Sequence, residues 1–298
     1  MKKINVFYLT LAALLMAVGH VVQKAVIEQG VDRTLFAFLR IATGFLILLA
    51  LILPRGKKPV RLLRKNARHF LVLGVLYSGC GILLKLWGLK HTTATNASFL
   101  MSLSSVHAIL FGALVLGEKA RRKFHVIAAA MILGIYLVST GGTRLIPRKG
   151  DLIIFFLSML IGGMQVYGKT VLARLSALEV AFGRSLFGAV FLGLLVVLFA
   201  PRGFTTIDSL PLLLLVLSNG FLFSFAILFF YRALRREAAS NSGMFALLTP
   251  VFTTLLGYLI LREVLNPFQI IGAGIILGGS YLISRQKITR GKPYSPSP

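Results

Sequence analysis

The composition of this 298-residue chain excludes an ordinary soluble protein, because 57% of its residues are hydrophobic and only 14% are charged. A formal net charge of +25 is typical of some nucleic-acid binders, but here the basic residues punctuate long apolar runs and do not gather on one soluble face. The single cysteine, Cys80, excludes an intramolecular disulfide and a cysteine-based metal motif. We therefore expect an integral membrane protein.

Apolar runs recur along the chain, and a bilayer needs about 20 such residues for each crossing helix. They predict ten helices, at about 4–24, 34–53, 69–90, 94–116, 124–143, 151–172, 180–200, 210–234, 238–261 and 267–284. The first run is expected to be a retained span and not a cleaved signal peptide. Residues 286–298, ending in Pro-Tyr-Ser-Pro-Ser-Pro, are predicted to form a disordered cytoplasmic tail.

One pattern is written twice in the chain, about 145 residues apart. The stretch Leu89–Glu118 aligns without a gap with Leu234–Glu263, which places Asn96 opposite Asn241. Equivalent matches occur in other helices at the same spacing. A spacing that persists from helix to helix indicates a duplicated structural unit.

Each predicted unit holds five helices, and because five is odd the second unit must enter the membrane upside down. The predicted fold is an all-α integral membrane protein with ten transmembrane helices arranged as two inverted five-helix repeats. The first repeat covers residues 1–145 and the second covers residues 146–285. Inverted repeats are a transporter architecture, with the binding site near the midplane between the halves.

The placement of lysine and arginine residues predicts the orientation in the membrane. Basic clusters after the second and fourth helices and in the tail fall on the side of the amino terminus if ten helices alternate. The opposite loops hold scattered charges, with one contrary cluster at Arg144, Arg148 and Lys149. Both termini are therefore predicted to be cytoplasmic, in the inner or plasma membrane.

The helix endings carry a further signal. The fourth and ninth helices end in Gly112…Leu116-Gly117-Glu118 and Gly257…Leu261-Arg262-Glu263, and the ninth also holds Thr249-Pro250-Val251. The second and seventh helices hold Phe38-Leu39-Arg40 and Phe182-Gly183-Arg184. This combination resembles the drug/metabolite transporter superfamily, and within it the EamA-type transporters. The resemblance implies a ten-helix carrier of small metabolites, often an exporter of amino acids or drugs. Two departures are Ser105 in place of the family's first-half proline and Arg262 in place of a glycine.

Polar residues within the spans are costly against lipid and usually face a cavity. The predicted substrate cavity is lined by His20, Tyr77, Lys85, Met101, Ser102, Ser105, Gln165, Asn219 and Thr249. The eight acidic residues all lie at helix ends or in loops, which favours a substrate with a carboxylate or another anionic group. If His20 or His107 lines the cavity, its titration near neutral pH would couple proton movement to transport. Snorkelling lysines and close-packed serines are the structural alternatives.

A second set of charges is predicted at the helix ends. Under inversion, Lys24, Arg40 and Glu263 should gather at the outer ends of their helices. Their counterparts should gather at the inner ends: Lys169, Arg184 and Glu118. These sets act either as ion-pair latches that break as each side opens or as fixed anchors at the interface.

The chain is thus predicted to be a secondary-active or facilitative transporter of a small polar metabolite, amino-acid-like or drug-like, and an exporter that works by alternating access. It has no GxxxxGK[ST] motif for ATP-driven pumping. We predict no enzyme activity, catalytic residue, metal or cofactor. The expected partners are a small-molecule substrate and the bilayer, with no nucleic acid. A flippase of a lipid-linked substrate and a non-transporting ligand sensor are the alternatives.

Overall fold

The fold of the chain is taken from a computed structural model that describes residues 3–55, 59–116, 122–143, 146–236 and 242–284. Within these ranges the regular structure is helical, and no strand occurs there. The elements are α1 (Lys3–Glu28), α2 (Arg33–Ile52), α3 (Pro59–Val72), a π-helical segment (Leu73–Cys80), α4 (Gly81–Lys90), α5 (Ala94–Ser102), α6 (Ser104–Leu116), α7 (Arg122–Thr140), α8 (Lys149–Leu172), α9 (Ala177–Phe199), α10 (Leu210–Arg236), α11 (Ser242–Leu261) and α12 (Pro267–Ser284). The predicted tail and Glu118 lie outside the described residues.

Seven helical segments in the described part of the chain are long and apolar enough to cross a membrane. They are Phe7–Glu28, Arg33–Ile52, Val60–Lys90, Ala94–Gly112, Lys149–Leu172, Ala177–Phe199 and Leu210–Arg232. Shorter apolar helices cover His125–Thr140, Leu248–Leu261 and Pro267–Leu282. Large hydrophobic side chains on the outer faces, such as Leu114, Val197 and Leu259, are exposed. An all-helical chain with an apolar exterior is the form an integral membrane protein takes.

The third predicted helix differs from the uniform α-helix expected over residues 69–90. It begins ten residues earlier, at Pro59, and the eight residues Leu73–Cys80 in its middle form the π-helical segment. Two glycines of this segment press against α9, where a Cβ on Gly74 would lie 2.6 Å from the Phe187 Cβ. Insertions of π-helical turns change which side chains share a face and often occur at functional sites. In this chain the segment carries Tyr77.

The fourth predicted helix is interrupted at Leu103, which separates α5 from α6. At the interruption the Ser102 hydroxyl donates to the Phe99 carbonyl at 2.6 Å. Serine side chains that bond nearby backbone carbonyls compete with the regular helical ladder. The counterpart of this region one repeat later is the continuous helix α11, which contains Pro250.

Helices of the first half pack chiefly against helices of the second half. α1 packs against α10 and α11, and its counterpart α8 packs against α4, α5 and α6. α2 packs against its own counterpart α9, and α7 against its counterpart α12. Most of these contacts therefore recur one repeat later with the halves exchanged, and the core lies between the two halves.

Glycines allow the closest of these approaches. A Cβ on Gly134 of α7 would lie 2.9 Å from the Gly272 carbonyl oxygen, and one on Gly272 of α12 would lie 2.6 Å from the Gly134 carbonyl oxygen. Membrane helices associate through such small residues because lipid gives them no hydrophobic drive to pair. The two counterpart helices are therefore joined backbone to backbone.

Candidate functional site

A cavity of about 80 Å³ lies between the two halves of the chain. α1, the π-helical segment, α5, α6, α8, α10 and α11 all contribute to its wall. Its walls include seven of the nine residues predicted to form a substrate cavity: His20, Tyr77, Met101, Ser102, Ser105, Gln165 and Thr249. The structure thus brings together residues that are up to 229 positions apart in sequence (20 to 249). Their contact with a substrate stays a prediction.

A row of hydroxyl groups lines this cavity on both sides of the interruption at Leu103. Ser102 belongs to α5, and Ser104 and Ser105 begin α6. Ser98 also lines the cavity and donates to the Thr253 hydroxyl of α11 at 3.2 Å. Ser98 and Ser104 are absent from the predicted set. The serine spacing was the available signal, but close helix packing explains the same spacing.

Apolar side chains form the rest of the wall. Met16, Ile161, Ile227 and Phe230 line the cavity beside Pro250. Sequence reasoning missed them because an apolar residue in a span looks the same whether it faces lipid or a cavity. The cavity is therefore a mixed surface of hydroxyl, amide, imidazole and hydrocarbon groups, as small-molecule sites usually are.

His20 is the most buried titratable group in the cavity wall, with 4% of its surface exposed. Its Nδ1 atom has no hydrogen-bond partner among the described residues. Lys85 of α4 and Arg40 of α2 are also buried, and α4 packs against both α1 and α2. His20 therefore lies between the cavity, which it lines, and a region of buried cations that do not line the cavity.

His107 does not line the cavity. Its Nδ1 lies 3.1 Å from the Ser158 hydroxyl, and its ring packs edge-on against Phe155 with centroids 5.4 Å apart. Both partners belong to α8. His107 therefore bonds a neighbouring helix in this structure and does not face the cavity.

Two residues assigned to the cavity from sequence stand elsewhere, which corrects that prediction. Lys85 is buried behind the wall, and Asn219 is fully buried between α10 and α1. The Asn219 amide donates to the Gly19 carbonyl at 2.9 Å and accepts from Gln23 Nε2 at 3.1 Å. Because α10 packs along α1, the polar face carrying Asn219 meets a helix and not the cavity.

We expect replacement of Asn219 by alanine to lower stability without changing the affinity for a transported substrate. The change removes two hydrogen bonds and leaves the Gln23 side-chain amide without its acceptor, while the Gly19 carbonyl keeps its bond within helix α1, so the free energy of unfolding should fall by about 1–2 kcal/mol. Thermal unfolding in detergent and the substrate KM measure the two effects. A raised KM at unchanged stability would contradict this prediction and show that Asn219 contributes to substrate binding.

The two arginines predicted at opposite helix ends lie together, which is a second correction. Arg40 Cζ is 3.8 Å from the centroid of the Phe223 ring, and Arg184 Cζ is 5.6 Å from the same centroid. Each arginine is the eighth residue of its helix, about 10 Å from the helix start at 1.5 Å per residue. That depth approaches the middle of a hydrocarbon core about 30 Å thick. Arg40 and Arg184 are therefore interior residues, not helix-end latches.

Lys24 holds the loop between α4 and α5, whereas Glu263 binds the first residues of α5, and the two side chains do not pair with each other. Lys24 Nζ donates to the carbonyls of Leu89 and Thr92, each at 2.9 Å, and pairs with Glu28 at 3.3 Å. The Thr92 hydroxyl in turn donates to the Asp151 carboxylate at the start of α8. The loop is thus fixed to two further helices.

Glu263 caps the start of α5 from the other repeat. Its carboxylate accepts from the backbone N–H of Ala94 at 2.7 Å and of Thr95 at 2.9 Å. The preceding Arg262 has φ +57°, a left-handed conformation that normally favours glycine, the residue that the resembled family has there. This turn directs Glu263 back towards α5. We call the set Lys24, Glu263 and the loop 91–93 the loop clamp.

The counterpart of Lys24 has a different environment. Lys169 is exposed near the end of α8, whereas the Lys24 side chain is only 13% exposed. Glu118, the counterpart of Glu263, lies outside the described residues. Among those residues no group of three or more histidine, cysteine or acidic side chains could hold a metal ion.

Comparisons with known proteins agree on one family. The model of the EamA-like transporter family matches twice, at residues 3–140 and 148–285. The riboflavin transporter ImpX of Fusobacterium nucleatum is 27% identical over 256 residues, covering 80% of this chain and 84% of its own. A probable terminal-alkyne amino-acid exporter of Streptantibioticus cattleyicolor is 26% identical over 215 residues, covering 70% of each chain.

A solved crystal structure shares the fold. It superposes with a TM-score of 0.63 at 18% sequence identity and covers 92% of this chain and 98% of its own. An uncharacterized transporter of Bacillus subtilis, YetK, is 27% identical over 293 residues, which is 92% of this chain and 86% of its own. With two family matches spanning nearly its whole length, this integral membrane chain belongs to the EamA-like transporter family, whose members are transporters and not enzymes.

Proposed function

We propose that this transporter is a secondary-active or facilitative carrier that moves a small polar metabolite by alternating access. One observation carries the proposal: the cavity lies between the two matched segments and takes its wall from both. Met101 and Ser105 come from the first segment, while Gln165 and Thr249 come from the second. A binding site between two units that rock against each other is what alternating access requires.

The proposed architecture is two inverted five-helix repeats with ten spans. It adds α7, α11 and α12 to the seven segments that are long and apolar enough by themselves. Their apolar parts are slightly short, and tilt or local thinning of the bilayer accommodates such differences at small cost. The exchange of packing partners between halves supports the pseudo-two-fold relation.

A difference between the halves supports a conformation closed on one side. The loop clamp joins α1, α4, α5, α8 and the end of α11 on the side of Glu263. On the other side the counterpart lysine, Lys169, is exposed. With both termini cytoplasmic, the clamped side is the external one, and the carrier would receive its cargo from the cytoplasm. This arrangement suits an exporter.

The proposed cargo is amino-acid-like or drug-like. One relative is named as a probable amino-acid exporter and another as a riboflavin transporter, so proteins at a similar distance from this chain carry different compounds. The hydroxyl, amide and imidazole groups of the cavity suit a small polar molecule, and its methionine, isoleucine and phenylalanine side chains suit an apolar part of that molecule.

The test is flux in proteoliposomes. The purified chain should move at least one labelled compound from a panel of amino acids, sugars, amines, flavins and lipid analogues, with and without a pH gradient. Replacement of Ser105 by leucine, which blocks the cavity, should abolish that flux, while replacement of exposed Phe199 by leucine on the outer surface should leave it unchanged. Movement of a lipid analogue alone would identify a flippase. Saturable binding without flux of any compound would identify a sensor and overturn the proposal.

A further inference from the structure

Three buried cations form a group behind the cavity wall. Arg40 of α2, Lys85 of α4 and Arg184 of α9 are 4%, 6% and 1% exposed. We call them the cation cluster. The cluster draws on both repeats, as the cavity does, and His20 and Tyr77 separate it from the cavity.

The members of the cation cluster are close enough to repel one another. Arg40 Cζ and Arg184 Cζ both approach the ring of Phe223, so they cannot be farther apart than the sum of 3.8 Å and 5.6 Å. Lys85 is buried on α4, which packs against α2, the helix of Arg40, and against α1, the helix of His20. Like charges at this separation repel strongly where the surroundings are apolar.

Among the ion pairs of the described residues, none joins a carboxylate to a member of the cluster. The hydrogen bond of Arg184 goes to the Tyr231 hydroxyl, 2.8 Å from Nη1, and its guanidinium carbon lies 4.5 Å from the centroid of the Tyr77 ring. Within the part of the chain that the structure describes, the Nε atoms of Arg40 and Arg184 have no hydrogen-bond partner. Within the described ranges the ion pair found is Lys24–Glu28, which lies outside the cluster.

Aromatic faces compensate this charge only in part. Cation–π contacts and the Tyr231 hydroxyl stabilise the two guanidinium groups. Buried cations normally pair with an acid or mark a binding path, because an unpaired charge in a membrane interior is expensive. A set of three cations with free donor atoms is therefore suited to a negative charge that arrives with a ligand.

We propose that the cation cluster binds the anionic group of the transported molecule, and that the cargo is a small organic anion bearing a carboxylate or phosphate. This inference rests on the proposed transport function and assigns its substrate class. The ligand reaches the cluster from the cavity past Tyr77 and His20, which both line the cavity. Tyr77 also contacts the Arg184 guanidinium through its ring. Guanidinium groups bind both carboxylate and phosphate oxygens in a bidentate manner. The uncharged remainder of the cargo would occupy the cavity beside the serine row.

The proposal is tested by binding to the purified full chain in nanodiscs. The probes are a monocarboxylate, a dicarboxylate and a phosphate monoester, each with a neutral amide or alcohol and an amine of matched size. We expect at least one anion to bind and to raise the unfolding temperature, while its neutral and cationic counterparts do not. The three anion arms identify which oxyanion the cluster prefers.

Variants locate the binding. Lys85→Met conserves the length of the side chain and removes its charge, and no hydrogen bond is lost with it among the described residues. We expect it to weaken anion binding by about tenfold or more, with Arg40→Met acting similarly and Arg184→Lys retaining part of the affinity. Arg202→Met removes an exposed cation and should bind like the parent chain.

Stability of the unliganded protein separates a binding role from a structural one. Because Lys85→Met relieves repulsion, the unfolding temperature without anion should stay equal or rise, while the anion-induced rise is lost. A large fall in unliganded stability would show that the cation serves packing and would overturn the assignment.

Equal binding of anions and amines, or unchanged anion affinity in both Lys85→Met and Arg40→Met, would also overturn the assignment. Flux of another cargo with no anion binding would refute the anion site and leave the proposed transport function standing. Anion binding without flux of any compound would support the anion site and refute the proposed transport function.

Discussion

Replacing Gly162 with alanine is expected to lower the free energy of unfolding by about 1–3 kcal/mol, because α8 and α6 touch at this glycine. A Cβ there would lie 2.6 Å from the His107 Cβ, 2.8 Å from the Ala108 amide nitrogen and 2.9 Å from the Ser104 carbonyl oxygen. Two of these atoms belong to the backbone, so only a shift of one whole helix could relieve the contact. Thermal unfolding in detergent measures the loss.

The same helix supplies the matched control. A Cβ on Gly168 would meet nothing within 4 Å, so Gly168→Ala should keep or slightly raise stability through the better helix propensity of alanine. Because Ser104 lines the cavity, Gly162→Ala should also reduce flux in the protein that still folds. Equal stabilities for the two variants would show that α6 and α8 are not closely packed at Gly162.

Replacing Glu263 with glutamine is expected to open the clamped side of the carrier. The carboxylate accepts two backbone N–H groups at the positive end of α5, and hydrogen bonds to a charged acceptor contribute about 1.5–3 kcal/mol each. Losing part of this energy from the clamped state alone should raise the population of the opened state by about tenfold or more. An Ala94→Cys reporter, buried in the parent structure, should then react correspondingly faster with an aqueous thiol reagent.

The reporter experiment needs a background without other thiols, so Cys80 is first replaced by serine. Glu28→Gln is the control for loss of a carboxylate near the same loop, because Glu28 is half-exposed and pairs with Lys24 in a surface ion pair of little energetic value. It should leave the labelling rate nearly unchanged. If Glu263→Gln labels no faster than Glu28→Gln, the loop clamp is a static anchor and not a gate.

The two results together would separate packing from gating. Gly162→Ala acts on every conformation in which α6 and α8 touch, so it should change stability more than the labelling rate. Glu263→Gln acts on a contact between repeats that the proposed alternating-access motion must break, so it should change labelling more than stability. The two sites share no contacts, and their effects on unfolding should therefore add.

Much of the membrane character could be predicted because it depends on local properties. The length of an apolar run and its hydrophobicity depend on composition alone, and the described helices follow the predicted runs closely except around residues 59–80 and at Leu103. Neither exception follows from hydrophobicity. A π-helical segment and a one-residue interruption depend on packing against the neighbouring helix. Gly74 is an example, because it lies against α9 with no room for a Cβ.

The residues of the candidate site could likewise be predicted only in part. Polar residues in apolar spans must face protein or a cavity, so His20, Gln165 and Thr249 could be selected from sequence, and the structure places all three on the cavity. The same rule also selected Asn219, which faces another helix. Sequence cannot separate the two cases, because the rotation of a helix about its axis and its neighbour at that depth are set by packing.

The sequence by itself determined that this chain is an apolar, duplicated, helical membrane protein that resembles transporters, since hydrophobicity and a repeated spacing are linear properties. Only the tertiary structure decided which charges meet. It moved Arg40 and Arg184 from presumed helix ends to one buried aromatic surface, and it showed Lys24 and Glu263 binding backbone groups and not each other. Electrostatic partners depend on distances of a few ångströms between helices that are far apart in sequence, and helix crossings alone determine such distances.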